Sequence, residues 1–298
     1  MTAFPVKAVA PAKVNLFLKV LGLLPDGRHE LFCLTASLAL ADDVAVEDLG
    51  PGPGPDVLAV ADDLIPPAMH TDPALAGPDS LVLRCVAELR AATGFPRRRV
   101  RVRIVRRVPY GAGLGGSSSD AAAAMTCINT LAPEPLSVRS LCELAMPLGA
   151  DIPFFLEGPG ARLIGGAGEL SAPYLGPSLP GHVLLANPGE GLSTGEVFRE
   201  YELTKSGPEN IVTAFPALRK LPLPPPGEND LLTAALRLMP ELDTLAGEVA
   251  SAARGPHGMS GSGPTFWALF ESAEEVAGAV RELRAKGRWA LASSFFMG

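Results

Sequence analysis

Residues 109–120 read Pro109-Tyr110-Gly111-Ala112-Gly113-Leu114-Gly115-Gly116-Ser117-Ser118-Ser119-Asp120, and an alanine-rich run continues to Asn129. The glycines permit backbone conformations and close approaches that a Cβ atom would block, whereas the alanines favour a helix. This order predicts a loop that leads into a helix. Backbone amides of such a loop and of the first helical turn can bind an anion, most naturally a phosphate. The alternative interpretation is a surface turn that ends in a serine N-cap.

The glycine loop differs from the two commonest phosphate-binding motifs. A P-loop requires a lysine after its last glycine, but here Ser117 follows Gly116 directly. A dinucleotide-binding fingerprint would be followed by a strand that ends in an acidic residue, and the sequence shows none in that place. A phosphate site in this loop therefore belongs to a different class.

The length and amino-acid composition of the chain limit the classes of protein to which it can belong. The chain has 298 residues, of which 47% are hydrophobic and 19% are charged, and this length and composition predict two globular domains. The net charge of −7 disfavours nucleic acid as a general partner, and no long apolar run predicts a membrane span. Residues 1–12 lack the pattern of a signal peptide, so we expect a cytoplasmic protein with its four cysteines reduced.

The remaining chain alternates between strand and helix patterns. Apolar residues recur at every second position after Pro11, which predicts a strand that places Lys13 and Asn15 on one face. Ser80 and Gly94 bound a predicted helix. Seven arginines lie between residues 97 and 107, and their alternation with valine and isoleucine favours the solvated face of a strand over a nucleic-acid site. The mixed order of elements predicts an α+β fold.

Two later segments carry polar residues in suggestive places. Asp151 follows a helix terminator and precedes an apolar stretch that we interpret as a strand; by local pattern alone it is a turn residue. Ser193 and Glu196 have the spacing of a capping box and predict a helix start. A second glycine cluster, residues 258–263, leads into another predicted strand.

Three motifs occur in a fixed order: Pro11-Ala12-Lys13-Val14-Asn15-Leu16, the loop at 109–119, and Met259-Ser260-Gly261-Ser262-Gly263-Pro264. Together they resemble the signatures of the GHMP small-molecule kinases, which group galactokinase, homoserine kinase, mevalonate kinase and their relatives. The resemblance implies two domains: an N-terminal, ATP-binding domain like domain 2 of ribosomal protein S5 over residues 1–165, and a C-terminal ferredoxin-like domain over residues 166–298.

Four further segments, at residues 26–31, 148–155, 187–198 and 229–231, resemble the branch of the family that phosphorylates the 2-hydroxyl of diphosphocytidyl methylerythritol in the non-mevalonate (MEP) route to isoprenoid precursors. One residue departs from that branch, because Arg28 stands where an aromatic residue is usual. Two alternatives stay open: another kinase of the family, such as a homoserine or mevalonate-type kinase, or a catalytically silent ligand-sensing relative.

The resemblance also implies roles for individual residues. It makes Lys13 and Asp151 the catalytic pair, with ATP and Mg²⁺ as cofactors and a small molecule as the substrate. We expect neither nucleic acid nor a membrane as a partner, and we expect the protein to be a monomer or a homodimer. The implied ATP-binding residues are Pro109, Gly111, Gly113, Leu114, Gly115, Gly116, Ser117, Ser118 and Ser119. The implied substrate-binding residues are Asn15, Arg28, His29, Asp151, Thr194 and Phe198, with Arg28 and Phe198 expected to stack on the two faces of the cytosine ring.

Overall fold

The structure, a computed structural model, describes residues 5–50, 53–63, 65, 67–70, 77–95, 98–204, 215–219 and 222–296. The chain packs into two units, each built from three segments. Unit 1 comprises residues 1–12, 40–110 and 115–159, and unit 2 comprises residues 13–39, 111–114 and 160–298. This division by packing differs from the contiguous family domains that the resemblance implies, because the first two strands each contribute residues to both units.

The elements follow in this order along the chain. They are β1 (Val6–Leu23), β2 (His29–Gly50), β3 (Val57–Asp62), α1 (Leu81–Thr93), β4 (Arg99–Arg106), α2 (Gly116–Leu131), α3 (Val138–Ala145), α4 (Ile152–Leu156), β5 (Ala161–Gly166), β6 (Leu170–Pro173), β7 (His182–Asn187), α5 (Thr194–Thr204), α6 (Phe215–Leu218), α7 (Leu232–Leu238), α8 (Glu241–Ala252), β8 (His257–Met259), β9 (Phe266–Phe270), α9 (Ala273–Ala285) and β10 (Trp289–Ser293). Sheets that are mostly antiparallel, together with these helices, confirm the α+β prediction. None of the helices in the described ranges has the length and apolar content needed to span a bilayer.

In unit 1, β4 lies between β3, to which it is parallel, and the last part of β2, to which it is antiparallel. The predicted alternation along β4 is confirmed: Val100, Val102 and Ile104 are buried, whereas Arg101 and Arg103 form ion pairs with Glu47. This pairing supports the outer-face interpretation for Arg101 and Arg103. The interpretation is wrong for Arg106, which is only 4% exposed because it falls on the buried side of the alternation and pairs with the buried Asp120. Arg97, which belongs to the same run, lies outside the described residues.

Helices α1 and α2 pack against each other in the core of unit 1. The predicted ends of α1 are confirmed, since the Ser80 hydroxyl accepts a hydrogen bond from the Leu83 amide and Gly94 is left-handed with φ +68°. The short side chains of the alanine run in α2 are buried. Cys85 and Cys127 are buried in this core, and burial raises the pKa of Cys85 to about 12 and that of Cys127 to about 11. Both thiols are free, as predicted.

Unit 2 holds a four-stranded antiparallel sheet in the order β10-β7-β9-β8. Helices α8 and α9 pack on this sheet. In the same unit, β5 pairs antiparallel with the first part of β2, and β6 pairs with β5. The predicted hairpin at residues 165–168 is therefore confirmed, because it joins β5 to β6.

One predicted element is wrong. The apolar stretch after Asp151 is the short helix α4, not a strand. Pro153 stands in the first turn of this helix, where proline is tolerated because the missing N–H would have no intrahelical partner, and the Ile152 amide donates to the carbonyl of Gly149 at 3.1 Å. A five-residue apolar run does not distinguish a helix from a strand by periodicity, so the local turn decides the outcome.

Candidate functional site

A buried network surrounds Asn15 in unit 2. Its side-chain oxygen accepts a hydrogen bond from Lys13 Nζ at 2.6 Å, and its Nδ2 donates to the Thr35 hydroxyl at 2.9 Å. Its backbone amide donates to the Ser260 hydroxyl, and its carbonyl accepts from Trp267 Nε1. Both Lys13 and Asn15 are 5% exposed. Because every polar group of Asn15 is engaged, the Asn15 oxygen fixes the direction of the Lys13 ammonium group.

The three motifs of the sequence meet at this network. The Lys13 amide donates to the Leu114 carbonyl at 2.9 Å, and the Ser260 hydroxyl donates to the Gly113 carbonyl at 2.9 Å. The first motif is thus hydrogen-bonded to the middle of the glycine loop. The same part of the loop is hydrogen-bonded to the second glycine cluster. The 258–263 cluster thus lies beside residues 111–114 of the glycine loop, which belong to the same unit.

Two glycines are required where these segments approach each other. A Cβ atom on Gly113 would overlap the Ser260 carbonyl oxygen and lie 2.8 Å from that of Gly263, and its φ of +73° is left-handed. A Cβ atom on Gly261, at φ +58°, would lie 3.2 Å from Lys13 Nζ. Both positions therefore need glycine for its conformation and for its lack of a side chain.

In unit 1, the last part of the loop forms the start of α2. Gly115 is the N-cap residue at φ +72°, with no side-chain capping bond, and the Ser119 amide makes the first helical bond to its carbonyl at 2.9 Å. The helix therefore begins without a serine N-cap, contrary to the alternative interpretation. The first turn carries no acidic residue. The amides of residues 116–118 have no partner within the helix, which is the arrangement that binds phosphate.

Asp151 is exposed and occupies the N-cap position of α4 in unit 1. The predicted catalytic partner Lys13 belongs to unit 2.

Most of the predicted substrate-binding residues lie in unit 2, where His29 and Phe198 form a stacked pair with ring centroids 4.5 Å apart. His29 Nε2 lies 2.7 Å from Glu202 Oε1, and Tyr201 meets the His29 ring edge-on at 6.3 Å. Thr194, at the start of the same helix α5, shares a hydrogen bond with the Ser262 hydroxyl at 2.9 Å.

The sequence interpretation did not single out Glu202 or Tyr201. The spacing of three and four residues from Phe198 is the signal that could have found them, because such residues share one face of a helix.

Arg28 lies in the turn between β1 and β2, half exposed. Its guanidinium pairs with the Asp26 carboxylate at 2.7 Å, and its backbone amide donates to the same side chain at 3.0 Å. The hydrogen bond from Arg28 lowers the pKa of Asp26. The ring stacked on Phe198 in this structure is that of His29, and the pairing of Arg28 with Phe198 around a cytosine stays a prediction.

Comparisons with known proteins agree with the three motifs. The family model of the GHMP kinases N terminal domain matches residues 80–159, and that of the GHMP kinases C terminal matches residues 216–288. A 4-diphosphocytidyl-2-C-methyl-D-erythritol kinase of Bordetella pertussis is 36% identical over 294 residues, covering 97% of this chain and 89% of the relative. This chain belongs to the GHMP kinases, in the 4-diphosphocytidyl-2-C-methyl-D-erythritol kinase branch.

Sequence identity distinguishes this branch from other GHMP kinases in further comparisons. The kinase of the same name from Thermus thermophilus is 36% identical, covering 95% of this chain and 94% of the relative. A crystal structure of 4-(cytidine 5'-diphospho)-2C-methyl-D-erythritol kinase superposes with a TM-score of 0.74 at 35% identity, covering 98% of this chain and all of that one. The mevalonate kinase of Methanococcus jannaschii has a TM-score of 0.67 at 13% identity, with both chains fully covered, and shows the shared fold alone.

Proposed function

We propose that this protein transfers the γ-phosphoryl group of ATP to the 2-hydroxyl of 4-diphosphocytidyl-2-C-methyl-D-erythritol, a step of the non-mevalonate route to isoprenoid precursors. The observation that carries the proposal is an identity of about 36% to kinases of that name over almost the whole chain. We further propose that the protein works in the cytoplasm, as a monomer or a homodimer. The proposed family domains are residues 1–165 and 166–298.

The glycine loop and the start of α2 are the proposed ATP site. The amides of residues 116–118 offer hydrogen-bond donors to phosphate oxygens, and no carboxylate of the first turn of α2 opposes a bound anion. The proposed contacts are Pro109, Gly111, Gly113, Leu114, Gly115, Gly116, Ser117, Ser118 and Ser119. Such backbone donors suit an acidic protein, because they bind an anion without a cluster of lysines.

Mg²⁺ fits this site as an ion that arrives with the nucleotide. Within the described ranges, no group of three His, Cys, Asp or Glu side chains is arranged to hold a metal. Mg²⁺ commonly keeps few protein ligands and takes oxygen donors, so the hydroxyls of Ser117 and Ser118 beside the phosphate oxygens would suit it. When bound, the ion neutralises charge on the phosphate groups.

Lys13 and Asp151 are the proposed catalytic residues. Phosphoryl transfer depends mainly on positioning and charge stabilisation, so it needs a group that accepts the hydroxyl proton and a cation that stabilises the transferred group. Asp151 carries the carboxylate for the first role. The Lys13 ammonium group carries the second, and its hydrogen bond to Asn15 holds it in one direction.

The substrate is proposed to contact Asn15, Arg28, His29, Asp151, Thr194 and Phe198. The His29–Phe198 pair supplies flat faces suited to a nucleobase, and Arg28 supplies a planar cation that can stack or bind a diphosphate.

A coupled ADP-release assay across candidate alcohols tests the proposal. We expect ATP-dependent turnover with the diphosphocytidyl substrate and background rates with mevalonate and with homoserine. The Asp79→Asn variant, altered at an exposed turn of unit 1, serves as the matched control for carboxylate replacement and should behave as the parent. Turnover with homoserine or mevalonate alone would overturn the assignment, and no turnover with any alcohol would favour a silent ligand-sensing relative.

A further inference from the structure

A short segment of unit 2 to which the proposed mechanism gives no role, residues 227–230, runs beside β1. The Leu18 amide donates to the Glu228 carbonyl at 2.9 Å, and the Leu18 carbonyl accepts from the Asp230 amide at 3.0 Å. The Asp230 carboxylate also accepts a hydrogen bond from the Val20 amide at 2.9 Å. The segment is therefore fixed to the strand that carries the proposed catalytic lysine.

Asn229, within this segment, uses both ends of its side-chain amide. Its Nδ2 donates to the Met259 carbonyl at 2.9 Å and to the Gly261 carbonyl at 2.8 Å. Its Oδ1 accepts from the Leu231 amide at 2.9 Å. A side-chain amide has two N–H donors at one end and an accepting oxygen at the other. Asn229 thus holds two carbonyls of the second glycine cluster with its nitrogen and the turn into α7 with its oxygen.

The part of the cluster that Asn229 holds borders the Lys13 ammonium group. Its two carbonyls flank Ser260, whose hydroxyl accepts from the Asn15 amide at 3.2 Å. A Cβ atom on Gly261 would lie 3.2 Å from Lys13 Nζ and 3.4 Å from Asn15 Oδ1. The same Asn15 oxygen accepts the hydrogen bond from Lys13. A shift of this main chain would therefore disturb the lysine and its partner together.

We propose that Asn229 is a positioning residue for Lys13: its two N–H donors keep the second glycine cluster, and Gly261 in particular, in place against the lysine. The inference rests on the proposed function, because it takes Lys13 to be catalytic. Asn229 acts through the cluster, so its loss should misplace the ammonium group during phosphoryl transfer and lower kcat more than it changes either KM.

The variant Asn229→Asp separates the two ends of the side chain. A carboxylate keeps the acceptor for the Leu231 amide, but it has no donor and places negative charge against two carbonyl oxygens. We expect kcat in the coupled ADP-release assay to fall about tenfold, with KM for ATP and for the alcohol within about threefold of the parent. A parental kcat would show that Asn229 only caps the turn into α7, and would overturn the proposal.

Asn129, near the end of α2 in unit 1, offers a matched control. Its Nδ2 donates to the Leu136 carbonyl at 2.9 Å, and its Oδ1 accepts from the Leu136 amide at 2.8 Å. Asn129→Asp therefore removes a donor from a backbone carbonyl in the same way, and it should unfold at a lower urea concentration than the parent. Its kcat should stay parental. A tenfold loss of kcat in this control would assign the effect to general destabilisation and overturn the proposal.

The Lys13→Met background shows whether Asn229 acts through the lysine. Residues that act as one unit have non-additive effects on catalysis. Adding Asn229→Asp to Lys13→Met should therefore lower the residual kcat by less than about twofold. A further tenfold loss in the double variant would mean that Asn229 acts independently of Lys13.

Amide hydrogen exchange gives a readout that does not depend on turnover. Within the second glycine cluster, the Gly263 amide donates to the Ser260 carbonyl at 2.9 Å, and the Ser260 amide donates to the Thr265 carbonyl at 2.9 Å. Both amides should exchange about tenfold faster in Asn229→Asp, because the cluster opens more readily. They should exchange at the parental rate in Asn129→Asp.

Two further outcomes are distinguishable. If Asn229→Asp does not fold, Asn229→Ser takes its place with the same expectations, because a serine hydroxyl can still accept from the Leu231 amide but is too short to replace both donors. A parent that turns over no alcohol overturns the proposed function instead, and the exchange of the Ser260 and Gly263 amides then still tests whether Asn229 holds the cluster. Parental exchange of those amides in the Asn229 variants would overturn the present proposal.

Discussion

Gly113, in the middle of the glycine loop, is a position where one added methyl group should destabilise the fold strongly. Its backbone is left-handed at φ +73°, and a Cβ atom there would overlap the Ser260 carbonyl oxygen and approach that of Gly263 to 2.8 Å. Both obstacles are backbone atoms, which cannot rotate aside as a side chain can. Gly113→Ala must therefore shift the loop or the second glycine cluster.

The size of the effect follows from two separate costs. A left-handed conformation costs an L-residue roughly 1–2 kcal/mol. Forcing atoms into a packed site costs about 1–3 kcal/mol more. The sum, about 2–5 kcal/mol, is a large part of the roughly 5–15 kcal/mol that stabilises a typical protein. Gly287, in the same unit at φ +80°, has open space within 4 Å of where a Cβ atom would lie and should show the first cost alone.

Urea unfolding of both alanine variants measures these costs. We expect Gly113→Ala to be less stable than Gly287→Ala by about 1–3 kcal/mol. Its turnover should also fall, because the Gly113 carbonyl accepts from Ser260, whose hydroxyl accepts in turn from the Asn15 amide. Equal free energies of unfolding for the two variants would refute the claim that close backbone contacts define this loop.

Substitutions at three other residues test the proposed site in the coupled ADP-release assay. Asp151→Asn should lower kcat by about two to four orders of magnitude if its carboxylate accepts the hydroxyl proton; a loss of only a few-fold would make it a turn residue. Arg28→Ala should raise KM for the diphosphocytidyl alcohol several-fold, because a stacking contact of about 0.5–2 kcal/mol is lost. KM for ATP should stay unchanged, and Arg28→Tyr should restore most of the affinity for the alcohol. An unchanged KM would exclude the stacking role. Glu202→Gln weakens the 2.7 Å contact between Glu202 and His29. Because this contact is partly exposed, the variant should raise KM for the diphosphocytidyl alcohol only about fivefold. A KM equal to that of the parent would show that His29 does not depend on Glu202.

Local chemistry made much of the fold predictable. The cap at Ser80, the left-handed glycine at 94 and the alternation along β4 are properties of a few neighbouring residues, and the sequence contains them in full. The Lys13–Asn15 pair was predictable for the same reason, because side chains two apart in a strand share a face. Asp151 shows the limit of this reasoning, since helix and strand compete closely in a short apolar run.

The burial of Asp42, Arg106 and Asp120 in unit 1 was not predictable, because it depends on packing between distant segments. Asp42 and Asp120 are 78 positions apart by their numbers, and each looks like an ordinary polar residue in its own segment. Only the packing of α2 against the strands removes both carboxyl groups from water. The Ser260 contacts with Asn15 and Gly113 were hidden for the same reason.

The division of β1 and β2 between the units has a consequence for synthesis on the ribosome. All of unit 1 has been synthesised once residue 159 has emerged from the ribosome. Residues 13–39 belong to unit 2, and most of the rest of that unit, residues 160–298, is synthesised later. The first part of β2 pairs with β5, at Ala161–Gly166, and so cannot gain this neighbour until more than half of the polypeptide has been made. An early apolar strand with an open edge is prone to wrong pairing in a nascent chain. This protein should therefore depend on chaperones during translation more than its modest size suggests.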